Sequence, residues 1–163
     1  MASEKLSWRE KAGYALGDAA SNFYWKTFEF FLMFFYTDVF RLPAATTGTM
    51  FAVARIVGGI CDPIMGIVAD RTNTRWGKFR PYLLWFAVPN AAAAVLTFST
   101  PDLSSNGKVI YACLTYTFMM IAFTAINIPY SALMGVMTPS SEERTSLSSF
   151  RFVGAFTARL VVI

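Results

Sequence analysis

Charged side chains inside apolar stretches are the residues of this sequence best suited to chemistry. Arg55 and Asp62 are seven positions apart, about two helical turns, so both face the same side of a helix. Asp62 precedes Pro63, which has no backbone N–H and therefore frees a carbonyl one turn earlier. A carboxylate beside a freed carbonyl supplies the oxygen ligands that hard cations need. The pattern predicts that Asp62 either binds a cation or a proton, or is the structural partner of Arg55.

The first apolar stretch contains three charged side chains of its own. Asp18 either is solvated near the inner end of its helix or lines a polar cavity. Lys26 and Glu29 are three positions apart and are suited to an ion pair along one helix face. A charge at the bilayer centre costs at least about 2.5–3.5 kcal/mol, so such residues usually face a bundle interior or a water-filled cavity.

The segment "NIPYSAL" interrupts a long uncharged stretch with a proline. Pro129 removes one helix hydrogen bond and kinks the helix, which membrane helices tolerate where polar neighbours satisfy the freed groups. Thr124, Asn127 and Ser131 are the neighbours suited to this. The segment is either a structural kink alone or a kink that also places polar groups at a substrate site.

The elements that must position these residues are membrane helices. The chain has 163 residues, of which 55% are hydrophobic and 15% charged, with a mean hydropathy of +0.46. Soluble domains are about 45–50% apolar and about 25% charged. A membrane helix needs about 20 mostly apolar residues. The predicted fold is an all-α membrane protein with spans at about 12–36, 48–69, 81–100, 109–137 and 146–163.

Composition argues against an enzyme and against nucleic-acid binding. The sequence contains no histidine, which excludes His-based nucleophile activation, HExxH zinc sites and His proton relays. No Gly-rich phosphate loop and no paired-carboxylate motif is visible. Cys61 and Cys113 lie in apolar stretches and are interpreted as small packing residues. The net charge of +4 comes from bases between apolar spans, not from one soluble basic face.

The connecting segments predict the orientation of the chain. Segments 1–11, 70–80 and 138–145 carry eight Lys and Arg residues, whereas segments 37–47 and 101–108 carry two. Cytoplasmic loops are enriched in bases, so this asymmetry predicts a cytoplasmic N-terminus. The last span holds fewer residues than a bilayer crossing needs, which predicts a fragment of a longer protein. The fragment belongs either to a transporter or to a truncated, non-transporting membrane scaffold or regulatory protein.

Several motifs together resemble the glycoside–pentoside–hexuronide:cation symporter family of the major facilitator superfamily. They are "YALGDAASNF", "FFYTDVF", "DPIMG", "ADRTNTRWGKFRPY" and "NIPY". The resemblance, to melibiose-permease-like and glucuronide-carrier-like members, implies four complete transmembrane helices and the start of a fifth in an N-terminal bundle. It implies sugar:cation symport by alternating access in a bacterial inner membrane. It also implies a coupling Na+ or H+, a sugar or glycoside substrate, no other cofactor, and a C-terminal half as partner.

The resemblance assigns roles to individual residues. It implies a cation site at Asp62, Thr124 and Cys61, with Na+ at Asp62 as the one metal considered. It implies a substrate site at Asp18, Asn22, Asn127, Ser131 and Arg151, and a cytoplasmic gate at Asp70, Arg71, Arg75, Lys78 and Arg80. In this gate Asp70 is expected to pair with Arg71, Arg75 or a neighbouring helix end.

The sequence also departs from the family pattern. Many members carry a second acid one turn before Asp62, where this chain has Gly58. Loss of that acid weakens the case for sodium, although one carboxylate is still able to carry a proton. Asn22 and Asn127 also occur in glucuronide-carrier-like members, and an anionic sugar would suit Arg151.

Overall fold

The computed structural model describes residues 6–162, and within them it is built of helices without β-strands. The helices are α1 (Trp8–Phe34), α2 (Ala44–Arg71), α3 (Arg80–Trp85), α4 (Ala87–Thr97), α5 (Ser105–Met137) and α6 (Ser141–Val162). A π-helical turn, Phe35–Val39, extends α1. The predicted all-α class is confirmed for the described residues.

A capping box fixes the start of α1. The Ser7 backbone N–H donates to Glu10 Oε2 at 2.8 Å, and the Glu10 N–H donates to Ser7 Oγ at 3.3 Å. Each residue thereby satisfies a backbone donor that the helix itself leaves without a partner. The hydrogen bonds from Ser7 hold the pKa of the fully exposed Glu10 carboxyl below its ordinary value of 4.5.

The predicted span at 81–100 is present as two helices that meet at Phe86. The cause is Pro89, which has no N–H to offer the Trp85 carbonyl and whose ring crowds that oxygen. Flanking bonds persist, since the Phe86 N–H donates to Tyr82 O and the Asn90 N–H donates to Phe86 O. The proline therefore interrupts the helix at Phe86, while the hydrogen bonds on either side persist.

The chain divides into two compact units. The first comprises the residues up to Phe31 together with those from Ala132 onward, so it pairs most of α1 with α6. Its core includes Tyr14, Phe28 and Leu147. The second unit, Leu32–Ser131, holds the remaining helices around buried aromatic and aliphatic side chains.

The core of the second unit is rich in aromatic contacts. Phe51 lies 4.9 Å from Tyr116 and 6.1 Å from Tyr36, centroid to centroid, which links α2 to α5 and to the π-helical turn. Phe35 meets Phe98 edge-on at 5.2 Å. Such tilted and edge-on arrangements suit the ring quadrupoles. They hold α2 and α5 side by side, which positions Asp62 and Thr124.

Two of the described helices, α2 and α5, are long and apolar enough to cross a membrane by length and composition. On α2 a row of isoleucines at helical spacing is more than half exposed: Ile56, Ile60, Ile64 and Ile67. Water would make such a continuous apolar surface a liability, whereas lipid solvates it. The exposed row is what a bilayer-facing helix presents.

Candidate functional site

A polar cluster joins α1 to α6 in the first unit. Tyr14, Asp18 and Asn22 recur every four residues, so they share one face of α1. Arg151 of α6 reaches this face and donates to Asp18 Oδ1 from Nε at 3.0 Å and from an Nη at 2.8 Å. Asp18 is 7% exposed. The structure therefore brings together three of the five residues predicted for substrate binding.

Neutral groups also contact this ion pair. Asn22 Nδ2 donates to Asp18 Oδ2 at 3.1 Å and to the Asp18 backbone carbonyl at 2.9 Å. The Arg151 guanidinium lies over the Tyr14 ring, 5.6 Å from its centroid. Burial of opposite charges is tolerated where hydrogen bonds satisfy the remaining oxygens and protons. The cluster presents hydrogen-bond acceptors and donors side by side.

A glycine allows α6 to come close enough for this contact. A Cβ placed on Gly154 would lie 2.7 Å from the Ala15 backbone oxygen and 3.5 Å from the Ala19 Cβ. Real Cβ atoms do not approach a carbonyl oxygen that closely, so only glycine fits here. Gly154 lies one turn beyond Arg151, and the close approach of the two backbones holds the guanidinium against α1.

The second predicted site joins α2 to α5 in the second unit. Thr124 Oγ1 donates to Asp62 Oδ1 at 2.9 Å. Asp62 is exposed and Thr124 is buried. Within residues 6–162 Asp62 forms no ion pair, so the alternative in which it serves as the partner of Arg55 is not realised. Its carboxylate keeps one oxygen that Thr124 does not occupy.

The neighbours of Asp62 leave it as a single carboxylate. A Cβ on Gly58 would lie 3.0 Å from Met120 Cε, so the Met120 side chain fills the space where many family members carry an acid. Cys61 is a half-buried free thiol. Among the described residues no group of three or more His, Cys, Asp or Glu side chains is arranged to hold a metal ion.

Two further predicted substrate residues lie on α5 beyond Thr124. Asn127 is half-buried and Ser131 is exposed. They follow Thr124 by three and seven residues, so they continue the same helix face. Neither donates a hydrogen bond to Asp62 in the second unit. The Thr124 hydroxyl donates its hydrogen bond to Asp62, so it does not donate to a backbone carbonyl that Pro129 leaves without an N–H partner.

The predicted gate segment follows α2 as an ordered turn. Thr74 Oγ1 contacts the Gly77 carbonyl at 2.7 Å, and the Gly77 N–H donates to the Thr74 carbonyl at 3.0 Å. Gly77 has a φ of 96°, which favours glycine. The charged residues of the segment are all exposed, and within residues 6–162 none takes part in an ion pair: Asp70, Arg71, Arg75, Lys78 and Arg80. Among these residues Asp70 therefore forms no ion pair with Arg71 or Arg75, and its interaction with a neighbouring helix end stays a prediction.

Sequence reasoning found the ion pair of Lys26 with Glu29 and missed two others, that of Asp18 with Arg151 and that of Lys11 with Glu143. Lys26 and Glu29 pair as their spacing predicts. Lys11 of α1, however, pairs with Glu143 of α6 at 2.8 Å and donates to Ser146 Oγ at 3.0 Å. Both charged side chains are only 13% exposed. The only sequence signal for this pair was that the two charges are opposite and lie near the starts of two helices. Lys11 and Glu143 are too far apart in the sequence for helical spacing to relate them.

Comparison with known proteins agrees with this architecture. The model of the family described as MFS/sugar transport protein matches residues 13–163. The inner membrane symporter YicJ of Escherichia coli K12 is 54% identical over 94% of this chain and 33% of its own length. YagG of the same organism, whose name gives the class glycoside/cation symporter, is 48% identical over 97% of this chain and 34% of its own.

A third relative is named for its sugar. The isoprimeverose transporter of Lactiplantibacillus pentosus is 44% identical over 96% of this chain and 33% of its own length. The chain thus spans about a third of the length of the curated relatives it matches. The resemblance to glycoside–pentoside–hexuronide:cation symporters is confirmed. The chain belongs to the MFS/sugar transport protein family, a family of transporters and not of enzymes.

Proposed function

We propose that this chain is the N-terminal part of a secondary active transporter that couples the uptake of a sugar or glycoside to a cation by alternating access. The observation that carries the proposal is Asp62, a carboxylate on an apolar helix whose one partner is a neutral hydroxyl. A structural charge would be neutralised by a base. A carboxylate left without one is suited to gain and release a cation. The names of the relatives, glycoside/cation symporter and isoprimeverose transporter, support the same function.

Within this proposal the coupling ion is held at Asp62. Thr124 fixes one carboxylate oxygen, which leaves the other for the ion. Cys61, the half-buried residue before Asp62 on α2, is assigned to the site on the resemblance alone. The single carboxylate favours H+ over Na+, because sodium in proteins is held by several oxygen ligands whereas one carboxylate oxygen suffices for a proton. Met120, against Gly58, fills the place of a second acid.

The sugar is bound by Asp18, Asn22 and Arg151, whose donors and acceptors already converge on one face of α1. Asn127 and Ser131 are further sugar contacts on the resemblance alone. The segment from Asp70 to Arg80, whose charged residues are exposed, acts as a cytoplasmic gate. Its bases keep the connection between α2 and α3 on the cytoplasmic side of the membrane.

The proposed function also implies a location in the membrane. The protein is a multi-pass protein of a bacterial inner membrane, as YicJ is named, with a cytoplasmic N-terminus. Its exposed isoleucine row faces lipid. Substrate sites of such transporters lie near the bilayer midplane between two repeats, so a C-terminal half completes the pathway.

The test is cation-coupled uptake by Asp62→Asn. The complete natural reading frame that contains this chain is reconstituted in vesicles, and uptake of a panel of labelled glycosides is driven by an imposed proton or sodium gradient. We expect the variant to lose accumulation against a gradient while it retains downhill exchange. Asp38→Asn, which removes an exposed acid outside both sites, serves as the control and keeps accumulation. Gradient-driven accumulation by Asp62→Asn at the wild-type level would reject the role of Asp62.

A further inference from the structure

We infer that the connection between α2 and α3 binds the headgroups of anionic phospholipids. The connection comprises residues 70–80 and carries four bases and one acid. This binding adds a ligand to the segment that the proposed function uses as a gate. The inference rests on the membrane location that the proposed function implies, and not on transport itself.

The length of α2 places its end at the level of the lipid headgroups. The helix has 28 residues, which at 1.5 Å per residue corresponds to about 42 Å. A bilayer is about 30 Å thick across its hydrocarbon core and about 40–45 Å thick with its headgroups. A helix of this length that crosses the core therefore ends, at Arg71, among the headgroups. The bases that follow are tethered within reach of lipid phosphates.

The bases of the connection are not matched by acids in the part of the chain that the structure describes. All four are exposed, and within residues 6–162 none forms an ion pair: Arg71, Arg75, Lys78 and Arg80. The one acid of the connection, Asp70, is exposed as well. An anionic lipid surface attracts such a cluster with an affinity that rises by about fivefold per base. Arginine adds paired hydrogen bonds to phosphate oxygens.

A hydrogen-bonded turn presents two of these bases. Thr74 Oγ1 donates to the Gly77 carbonyl at 2.7 Å and accepts from the Trp76 backbone N–H at 3.2 Å. The Gly77 N–H in turn donates to the Thr74 carbonyl at 3.0 Å. Arg75 and Lys78 therefore extend from an ordered backbone. Less conformational freedom is lost when an ordered segment binds a ligand, so this turn favours binding.

The two ends of the connection are also held together. The hydroxyl groups of Thr72 and Tyr82 form a hydrogen bond across it. Phe79 and Tyr82 are buried, which anchors the side that leads into α3. The bases thus lie on a closed and anchored segment, which keeps them near the end of α2.

Exposed apolar side chains around the bases favour a lipid over a free anion. Four large side chains on or beside the connection are more than half exposed: Ile67, Trp76, Leu84 and Trp85. A free phosphate would use only the bases, whereas a phospholipid brings a phosphate and acyl chains together. Tryptophan is enriched at the membrane interface, because its ring is apolar and its N–H is polar. Trp76, between the bases at 75 and 78, suits this depth.

Lipid binding to the purified protein tests the inference. The complete natural reading frame that contains this chain is delipidated in detergent and titrated with phosphatidylglycerol or phosphatidylethanolamine of identical acyl chains. Native mass spectrometry counts the bound lipids. The first lipid is anionic and the second is neutral, so their affinity ratio isolates the charge. We expect the wild type to bind phosphatidylglycerol at least about 10-fold more tightly, the scale of two bases.

Arg75→Gln/Lys78→Gln is the informative variant, because it removes two exposed charges from the turn and keeps the side chains polar. We expect the preference for phosphatidylglycerol to fall by about 10-fold. Arg41→Gln/Lys108→Gln is the matched control, because it also removes one arginine and one lysine, from segments 37–47 and 101–108. Its preference stays at the wild-type value.

Two further measurements separate a lipid from a free anion. Trp76→Ala removes an apolar contact and no charge, so it should weaken the binding of both lipids by a similar factor. Glycerol phosphate, a soluble phosphate monoester, should not displace phosphatidylglycerol at equal concentration. Displacement by glycerol phosphate, or unchanged binding of both lipids by Trp76→Ala, would count against a lipid ligand.

The remaining outcomes separate the inference from the proposed function. Equal binding of the two lipids by the wild type overturns the inference, as would occur if an acidic protein segment covered the bases. An unchanged preference in Arg75→Gln/Lys78→Gln, or an equal fall in Arg41→Gln/Lys108→Gln, also overturns it. The preference would then arise elsewhere or from overall charge. A protein that binds phosphatidylglycerol as expected but transports no glycoside counts against the proposed function alone.

Discussion

The two predicted sites differ in how each holds its carboxylate. In the first unit Asp18 is buried and accepts two hydrogen bonds from Arg151 and one from the Asn22 side chain. In the second unit Asp62 is exposed and accepts one bond from a neutral hydroxyl, that of Thr124. We therefore call Asp18, which is held in an ion pair, the locked carboxylate. We call Asp62, which has one oxygen without a hydrogen bond from Thr124, the open carboxylate.

Under the proposed function, this difference suits the two carboxylates to separate roles. A carboxylate in a closed ion pair keeps its charge and its position, because protonation would break the pair and strand a guanidinium. A carboxylate held by one hydroxyl loses little when a proton or a cation arrives. The proposed symport would use both kinds of site: a constant template for the sugar and an acid whose occupancy changes.

The largest effect on stability is expected when one member of the ion pair between Asp18 and Arg151 is removed. Arg151→Met removes the charge and keeps most of the side-chain volume, so it leaves Asp18 buried without compensation. We expect the free energy of unfolding to fall by about 3 kcal/mol. Thermal or denaturant unfolding of the purified protein in detergent measures the change.

The double variant tests whether the loss comes from the stranded charge. Asp18→Asn/Arg151→Met carries no charge at the cluster and should recover most of the lost stability. Lys26→Met breaks the exposed pair with Glu29, and exposed pairs contribute only about 0–1 kcal/mol. If the double variant is as unstable as Arg151→Met alone, Asp18 is not the cause.

The next effect concerns the backbone contact that positions Arg151. In Gly154→Ala the new Cβ would lie 2.7 Å from the Ala15 backbone oxygen, so α6 must move away from α1. We expect a loss of about 1–3 kcal/mol in unfolding free energy, the usual cost of overpacking. Gly135→Ala, on α5 with no neighbour within 4 Å, is the matched control and should stabilise its helix by about 0.5–1 kcal/mol. Equal stability of Gly154→Ala and wild type would show that α1 and α6 are not held at this distance.

Helix positions were predictable because the apolar stretches are long and charges interrupt them sparsely. The sequence analysis predicted one continuous span at 81–100, whereas the helix is interrupted at Phe86. Pro89 signals this interruption, but the span was predicted from its overall hydropathy. The π-helical turn at Phe35–Val39 had no such signal. It depends on how Tyr36 and Phe40 pack, which only the tertiary structure reveals.

The sites were predictable only in part. Local spacing related Asp18 to Asn22 and Lys26 to Glu29, because helix geometry brings such residues together. No spacing relates Asp18 to Arg151 or Lys11 to Glu143, since these contacts depend on which helices pack together. Helical spacing also placed Arg55 and Asp62 on one face of α2, but these two residues form no ion pair within residues 6–162. A shared helix face permits a contact, but the neighbouring helix decides it.

A smaller effect is expected when the open carboxylate loses its hydroxyl. Thr124→Val keeps the shape of the side chain and removes the donor to Asp62 Oδ1. This bond stabilises the ionised carboxylate, and a hydrogen bond to a charged group contributes about 1.5 kcal/mol or more, so the variant should hold H+ about 10-fold more tightly. The concentration of cation, or the pH, that gives half-maximal uptake measures this. Thr124→Ser keeps the hydroxyl and should match the wild type, and a Thr124→Val protein with unchanged cation dependence would remove Thr124 from the site.

The smallest effect concerns a third carboxylate, fully exposed and outside both sites. Hydrogen bonds from Ser7 lower the pKa of the Glu10 carboxyl in the folded protein relative to its ordinary value. The contribution of the capping box to stability is therefore complete above the unfolded-state pKa and is lost as the pH falls through the lower, folded-state pKa. Ser7→Ala keeps the backbone N–H, the larger cause of the shift, and removes only the side-chain hydrogen bond. The Glu10 pKa should therefore move part of the way back towards 4.5, as carbon-13 NMR of a labelled Glu10 carboxyl would detect. Because the glutamine in Glu10→Gln cannot titrate, the stability of this variant should lack this component of the pH dependence. If the stabilities of Glu10→Gln and the wild type change equally with pH between pH 3 and 5, the capping box does not contribute. Glu10 thus provides the baseline for a solvated carboxylate, against which the locked Asp18 and the open Asp62 can be compared.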